Sequence, residues 1–88
     1  MGSFSKETRA HVEQDDVIFV LEIGGTERQF EISGDALRRF FGARDGSGSE
    51  LLRAFEHGGQ AIRAAAQAAR TPAQGATPLG SGDFDTPK

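Results

Sequence analysis

The sequence predicts the α+β class, as a small two-layer domain in which a β-hairpin is packed by two C-terminal helices. Two segments rich in β-branched and aromatic residues meet at Gly24-Gly25, which is typical of a hairpin over residues 17–32. An apolar repeat with helical spacing follows at residues 34–41, and a longer one occupies residues 48–70. A hairpin followed by helices favours α+β over a parallel α/β sheet.

The register of the hairpin follows from a two-residue glycine turn. Such a turn pairs Phe19 with Phe30 and places the other odd-numbered apolar residues of the first strand on the same face. The opposite face carries Ile18 and Val20, so the first strand is apolar on both faces. We therefore expect that second face to be covered by a helix, by the N-terminal segment or by another subunit.

The first predicted helix has recognisable ends. Ser33 suits an N-cap, and Asp35 complements the helix dipole in the first turn. Leu37 and Phe41 are four residues apart and form an apolar stripe. Gly42 stands where a left-handed residue ends a helix.

The second predicted helix contains an anomaly. Ser47 and Glu50 have the spacing of a capping box at its start. Gly58 and Gly59 lie in its interior, where two glycines cost about 2 kcal/mol relative to alanines. Either the helix bends there, another group approaches closely, or there are two shorter helices. The interpretation favoured by the sequence is one continuous, weakened helix.

The two ends of the chain are poor in apolar residues. Residues 1–14 are predicted to be flexible or partly extended, with a third strand around Phe4 as an alternative. Residues 71–88 are rich in Pro and Gly and offer only Leu79 and Phe84 for burial, which predicts a disordered tail. The ordered domain is thus expected at residues 15–70.

Composition excludes several classes of protein. The chain has 88 residues, a formal charge of -3 and no cysteine, which rules out disulfides, thiolate catalysis and cysteine-ligated metals. It has no apolar segment near the roughly 20 residues that a membrane span requires. We therefore expect a cytoplasmic protein that does not associate with a membrane.

Two stretches carry a resemblance to a known family. They are GGTERQFEISGDALRRFFGA, at residues 24–43, and LLRAFEHGGQAIRAAA, at residues 51–66. Their glycine turn, Ile-Ser and Ala-Leu helix start, Phe-Gly-Ala helix end and Leu-x-x-Phe helix resemble a bacterial family of small proteins, the domain of unknown function 1488. The resemblance covers roughly residues 15–70 and implies an α+β domain. It implies no activity, cofactor or site residue.

One cluster has the character of metal ligands. If the chain is extended there, His11, Glu13 and Asp15 project to the same side, with Asp16 adjacent. This spacing is common by chance, and the segment is polar. We interpret these residues as solvated charges, with a hard-cation site as the alternative, and predict no metal ligand.

The candidates for catalysis are also weak. A histidine such as His57 can serve as a general acid or base, but neighbouring residues on a helix point about 100° apart, so Glu56 is badly placed to orient it. Ser33 and Ser47 are assigned as caps, and Ser49 has no base in reach. We predict no catalytic residue and a protein that is not an enzyme.

The glycine-rich stretches do not predict a cofactor site. The turn at residues 46–48 leads into a helix N-terminus, but no lysine follows it and Glu50 places negative charge in the first turn. The pairs at residues 24–25 and 58–59 match no phosphate-binding pattern. We expect no cofactor.

Arginines make a nucleic-acid role the second hypothesis, because two helices joined by a short turn can resemble a helix-turn-helix. Over residues 17–70, seven arginines face seven acidic residues, so any basic surface must come from uneven placement. The arginines are Arg28, Arg38, Arg39, Arg44, Arg53, Arg63 and Arg70.

The preferred hypothesis is a non-enzymatic interaction or accessory module that forms a homodimer. A core of about 54 residues is small for independent stability. A second copy that covers Ile18, Val20 and the alanine-rich face of the last helix would add buried surface. The sequence does not identify any other protein partner.

Overall fold

The computed structural model describes residues 3–69, 75–80, 82 and 84. Its elements are α1 (Ser3–Glu7), β1 (His11–Glu13), β2 (Asp16–Ile23), β3 (Thr26–Ser33), α2 (Gly34–Phe40), α3 (Gly48–His57), α4 (Gly59–Ala68) and β4 (Thr77–Leu79). The strands form one sheet in the order β1-β2-β3-β4, in which only the β3–β4 pair is parallel. The α+β class is confirmed.

The central hairpin has the predicted register. Phe19 pairs with Phe30, and the ladder continues without interruption from Asp16 to the turn. Gly24 and Gly25 adopt φ values of 61° and 83°, the left-handed region that a two-residue hairpin turn requires. The glycine pair therefore sets the register that places the aromatic residues on one face.

The helices pack on that aromatic face. Phe55 of α3 is fully buried, and its ring centroid lies 4.9 Å from that of Phe19, which in turn lies 5.5 Å from Phe30. The main core cluster also contains residues from both ends of the described chain, Phe4 and Leu79. The core thus joins every layer of the fold.

The opposite face of the sheet carries Ile18 and Val20, as predicted. Ile18 is only 7% exposed although it does not belong to the main core cluster. In the register it lies between His11 on β1 and Glu31 on β3. The N-terminal segment lies along the edge of β2 at this point, because Thr8 O accepts a hydrogen bond from Val20 N at 2.9 Å.

The N-terminal segment differs from the expectation of a flexible or extended chain. The region around Phe4 is helix α1, and the additional strand lies later, at His11–Glu13. Phe4 is 8% exposed, and its ring stacks on Phe55 at a centroid distance of 4.8 Å. Burial of this one aromatic side chain, which sequence pattern did not reveal, orders the segment.

The C-terminal segment also differs from the predicted tail. Residues Thr77–Leu79 form β4, parallel to β3, and Leu79 is 1% exposed. The ring of Phe84 lies edge-on to Phe41 at 5.1 Å. The two apolar residues of this segment therefore reach the core. The rest of the predicted tail, residues 71–74, 81, 83 and 85–88, lies outside the described residues.

The prediction of one continuous helix at residues 48–70 is wrong. Helices α3 and α4 are separated at Gly58, whose φ of -91° and ψ of 14° depart from helical values. A Cβ atom at Gly58 would overlap the ring of Phe41, and one at Gly59 would lie 3.1 Å from the ring of Phe4. The glycines therefore permit close approach by two aromatic rings as well as the break.

The helix caps are confirmed at α2 and differ at α3. Ser33 Oγ accepts from Ala36 N at 3.1 Å, and Gly42 has the left-handed φ of 82°. Ser47 makes no side-chain cap bond. Glu50 instead reaches back past the N-cap and accepts from Arg44 N at 3.0 Å. The prediction of a capping box is wrong, because the Glu50 carboxylate accepts from the Arg44 amide of the α2–α3 loop and not from the amide of Ser47.

Truncation of Phe55 tests the core. We expect Phe55→Ala to lower the free energy of unfolding by about 3–5 kcal/mol, because it removes a buried ring that contacts both α1 and the sheet. Phe40→Ala is the matched control, since Phe40 is 39% exposed. Denaturant unfolding of both variants measures the difference, and equal losses would contradict the assigned core.

The Gly58 contact gives a second prediction. We expect Gly58→Ala to destabilise the fold by about 1–3 kcal/mol because the added methyl group must displace the Phe41 ring. Gly48→Ala is the control, since its Cβ would lie 3.7 Å from Val12 Cγ2, an ordinary contact. The melting temperature of Gly48→Ala should be well above that of Gly58→Ala. The reverse order would refute the close approach of the Phe41 ring to Gly58.

Candidate functional site

The structure does not bring the predicted metal candidates together. His11 Nε2 lies 3.1 Å from Glu13 Oε2, but both side chains are more than half exposed. Asp15 is exposed, and Asp16 lies beside Glu31 instead. Within the described residues, no group of three or more potential ligands has an arrangement suited to a metal ion.

The outer face of the sheet is acidic. Hydrogen bonding between the Glu31 and Asp16 carboxyl groups, partial burial and the charges of Asp16 and Glu13 together raise the pKa of Glu31. By strand alternation, Glu22 and Glu27 lie on the same face farther along the hairpin. We call this surface, Glu13, Asp16, Glu22, Glu27 and Glu31, the acidic face.

Glu56 has a structural role that the sequence did not predict. Its carboxylate accepts from Phe4 N at 2.8 Å, from Ser5 N at 2.7 Å and from Ser5 Oγ at 3.0 Å. Burial alone would raise the pKa of Glu56, but these three hydrogen bonds hold it below its ordinary value. The carboxylate therefore satisfies the first amides of α1, and it is not positioned to act on His57.

The other nucleophile and base candidates are also dispersed. The Ser33 hydroxyl is engaged in the N-cap of α2, whereas His57 and Ser49 are exposed. Ser47 N donates to Asp45 Oδ1 at 2.9 Å. These side chains do not converge on one point.

An ion pair lies in the first turns of α3, directly after the glycine turn. Arg53 Nη2 donates to Glu50 Oε1 at 2.9 Å, and with the Arg44 backbone this lowers the pKa of Glu50 to about 2. Arg53 also donates to Gly42 O at 2.8 Å. The Glu50 carboxylate therefore places a negative charge in the first turn of α3.

The arginines are distributed over several surfaces. Arg39 pairs with Asp35 on α2, and Arg63 pairs with Glu7 on α1. Arg28 is on the hairpin, Arg38 and Arg44 flank the end of α2, and the side chain of Arg70 lies outside the described residues. The arrangement does not form a single basic stripe in the described part of the chain.

The exposed face of α4 has a different composition. Its exposed residues are all small or neutral: Gln60, Ala61, Ala64, Gln67 and Ala68. The first turn of α4 has no acidic residue and its last turn has no basic one. We call these five residues the α4 face. Ile62 and Ala66, on the other side of the helix, are buried in the core.

A small cleft lies between α4, α1 and β2. Its volume is about 230 Å³, and it is lined by Glu7, Thr8, Val20, Leu21, Glu22 and Arg63. Arg63 connects these elements, because its guanidinium lies 5.2 Å from the centroid of the Phe4 ring and 3.6 Å from Glu7 Oε1. The cleft therefore lies next to the α4 face.

Comparison with known families decides the classification. The model of the family described as protein of unknown function (DUF1488) matches residues 3–78. The chain belongs to the DUF1488 family. No curated protein and no solved structure matches the chain.

The DUF1488 match extends beyond the predicted domain at residues 15–70. It begins at the first residue of α1 and ends within β4. The match therefore takes in α1, β1 and most of β4, which all lie outside the predicted domain. In the described part of this DUF1488 chain, no helix is long and apolar enough to cross a membrane.

The contact of α1 with α3 was missed because its partners are 51 and 52 residues apart in the chain. The available signal was Phe4, the one large aromatic residue in a polar segment. Gly59 was the second signal, since its missing side chain makes room for that ring. The two signals become informative only when they are considered together.

The lowered pKa of Glu56 predicts a dependence on pH. A carboxyl group whose pKa is lower in the folded state stabilises the fold above the unfolded pKa, and this contribution disappears as pH falls through the folded pKa. At neutral pH, Glu56→Ala should cost about 1–3 kcal/mol, because two amides and a hydroxyl lose a charged acceptor. The loss should become smaller at pH values below the ordinary glutamate range.

Glu27→Ala is the control for that experiment, because Glu27 makes only an exposed ion pair with Arg9. Denaturant unfolding at neutral and at acidic pH measures both variants. A Glu56→Ala penalty that does not change with pH would contradict the role of the ionised carboxylate.

Proposed function

We propose that this DUF1488 protein is a non-enzymatic interaction module that self-associates through the α4 face. The observation that carries the proposal is the composition of that face, which consists of exposed alanine and glutamine with no charged side chain. Surface helices of monomers normally present charged residues to solvent. Small side chains also allow a second helix to approach closely.

The charge distribution favours a second copy as the partner at this surface. Oligomers with two-fold symmetry bring the same residues together from both copies. Two copies of the acidic face would place carboxylates opposite carboxylates, which is repulsive. Two copies of the α4 face bring together only neutral residues, and Arg63 at the border of that face is paired with Glu7.

The structural roles of the polar side chains support a non-enzymatic function. Glu56 is occupied by the amides of α1, Ser33 by the N-cap of α2, and Glu50 by Arg53. Groups that are committed to folding in this way do not form the convergent set that catalysis requires. A cytoplasmic location stays a prediction from the sequence, and the dispersed arginines do not favour the nucleic-acid hypothesis.

Introducing charge at the centre of the α4 face tests the proposal. We expect Ala64→Arg to shift the protein from dimer to monomer, because two guanidinium groups would meet at the two-fold axis. Ser49→Arg adds the same charge at an exposed position in the first turn of α3 and should leave the dimer intact. Light scattering over a range of protein concentrations measures the mass of each variant.

The unmodified chain must itself be dimeric in this experiment. A monomeric mass at high micromolar concentration would refute self-association. A dimer that tolerates Ala64→Arg as well as Ser49→Arg would place the contact elsewhere on the surface.

A further inference from the structure

We propose that the open edge of β2, residues 21–23, pairs with the same edge of a second copy, so that the two sheets join beside the α4 contact. This inference rests on the proposed self-association and identifies a second part of the same interface. Three features of the molecule support it: the direction of the backbone groups, the space next to them and the charges at the border.

The direction of the backbone groups follows from one hydrogen bond. Val20 N donates to Thr8 O at 2.9 Å, so the N–H of Val20 points away from β3. The β2–β3 ladder is regular through Ile23, and alternate residues of a strand point their N–H and C=O groups to the same side. The backbone N–H and C=O of Glu22 therefore also point away from β3.

The N-terminal segment protects this edge of β2 only as far as Val20. Strand β1 pairs with residues 16–18, and Thr8, which directly follows α1, accepts the hydrogen bond from Val20 N. On that side, the Glu22 N–H has no hydrogen-bond partner in the described structure. An unprotected strand edge of this kind is a template for pairing with another chain.

The space beside this edge is the cleft already described. Its volume of about 230 Å³ lies along Val20, Leu21 and Glu22. A neighbouring strand lies about 4.8 Å away in a sheet, so a short extended segment is the element that such a position accepts. The cleft is open to solvent, so a segment of another copy can approach without rearrangement of α1.

The same cleft is bordered by α4, which joins it to the α4 face. Arg63 lines the cleft, and Ala64 is the next residue and belongs to the α4 face. One second copy can therefore contact both surfaces. Pairing of the strand edges sets the orientation of the two copies. The two α4 faces then pack against each other in the helical layer.

The charges at the border of the cleft favour a second copy of the chain as the partner that pairs with the β2 edge. Arg63 and Glu7 carry opposite charges, lie 3.6 Å apart and are 43% and 66% exposed. A two-fold axis through the cleft brings Arg63 of each copy towards Glu7 of the other. The pairing also brings Glu22 of the two copies opposite each other, and Arg63, which lines the same cleft, supplies the opposite charge there. The border of the cleft therefore carries both signs of charge.

Removal of a single backbone donor tests the proposal. Proline has no N–H, and it is tolerated on edge strands where that N–H is unpaired. Glu22→Pro therefore removes a hydrogen bond between copies without removing one within the fold. We expect it to raise the dissociation constant of the dimer about tenfold or more relative to Glu22→Ala, which retains the N–H but loses the same carboxylate.

Circular dichroism and thermal melting at monomeric dilution show whether both variants are folded. Equal dimer dissociation constants for two folded variants would overturn the edge pairing. If Glu22→Pro fails to fold, amide hydrogen exchange on the unmodified chain decides the question.

In that exchange experiment, the Glu22 amide should exchange rapidly at monomeric dilution and be protected at dimeric concentration. Rapid exchange in a dimer confirmed by light scattering would refute edge pairing and leave the α4 contact standing. A chain that is monomeric at every concentration would refute both the edge pairing and the proposed function.

Discussion

Phe55 is the side chain through which the layers of this fold contact one another. It is fully buried in α3, with Phe4 of α1 stacked at 4.8 Å and Phe19 of the central strand at 4.9 Å. The sheet, the long helical layer and the N-terminal helix therefore share one aromatic core. In a domain this small, a single residue with contacts in three elements makes their folding interdependent.

The contacts around Phe55 also explain why glycine interrupts the helical layer. Phe4 and Phe41 approach the chain at Gly59 and Gly58, where a side chain would meet their rings. The break between α3 and α4 sacrifices few backbone hydrogen bonds, because Ile62 N donates to Gly58 O at 2.9 Å and α4 begins at the next residue, Gly59. The low helix propensity of two adjacent glycines is therefore offset by the packing of two aromatic side chains.

The features that the sequence predicted are those that local chemistry determines. The glycine turn sets the register of β2 and β3, and Ser33 caps the helix that follows it directly. The features that it did not predict depend on residues far apart in the chain. The Glu56 carboxylate accepts hydrogen bonds from the amides of Phe4 and Ser5. Leu79, on the three-residue strand β4, pairs with Ile32 of β3. Patterns in one segment carry no information about such partners.

The distribution of charge decides which surfaces two copies can share. The acidic face has carboxylates close enough together that the pKa of Glu31 is raised, so bringing a second such face against it would add repulsion. The α4 face carries no charge, and the cleft beside it presents Arg63 and Glu7 as a pair of opposite sign. The α4 face, the border of the cleft with Arg63 and Glu7, and the open edge of β2 are neighbours. Their adjacency means that one two-fold arrangement can use all three, while the acidic face apart from Glu22 stays in solvent.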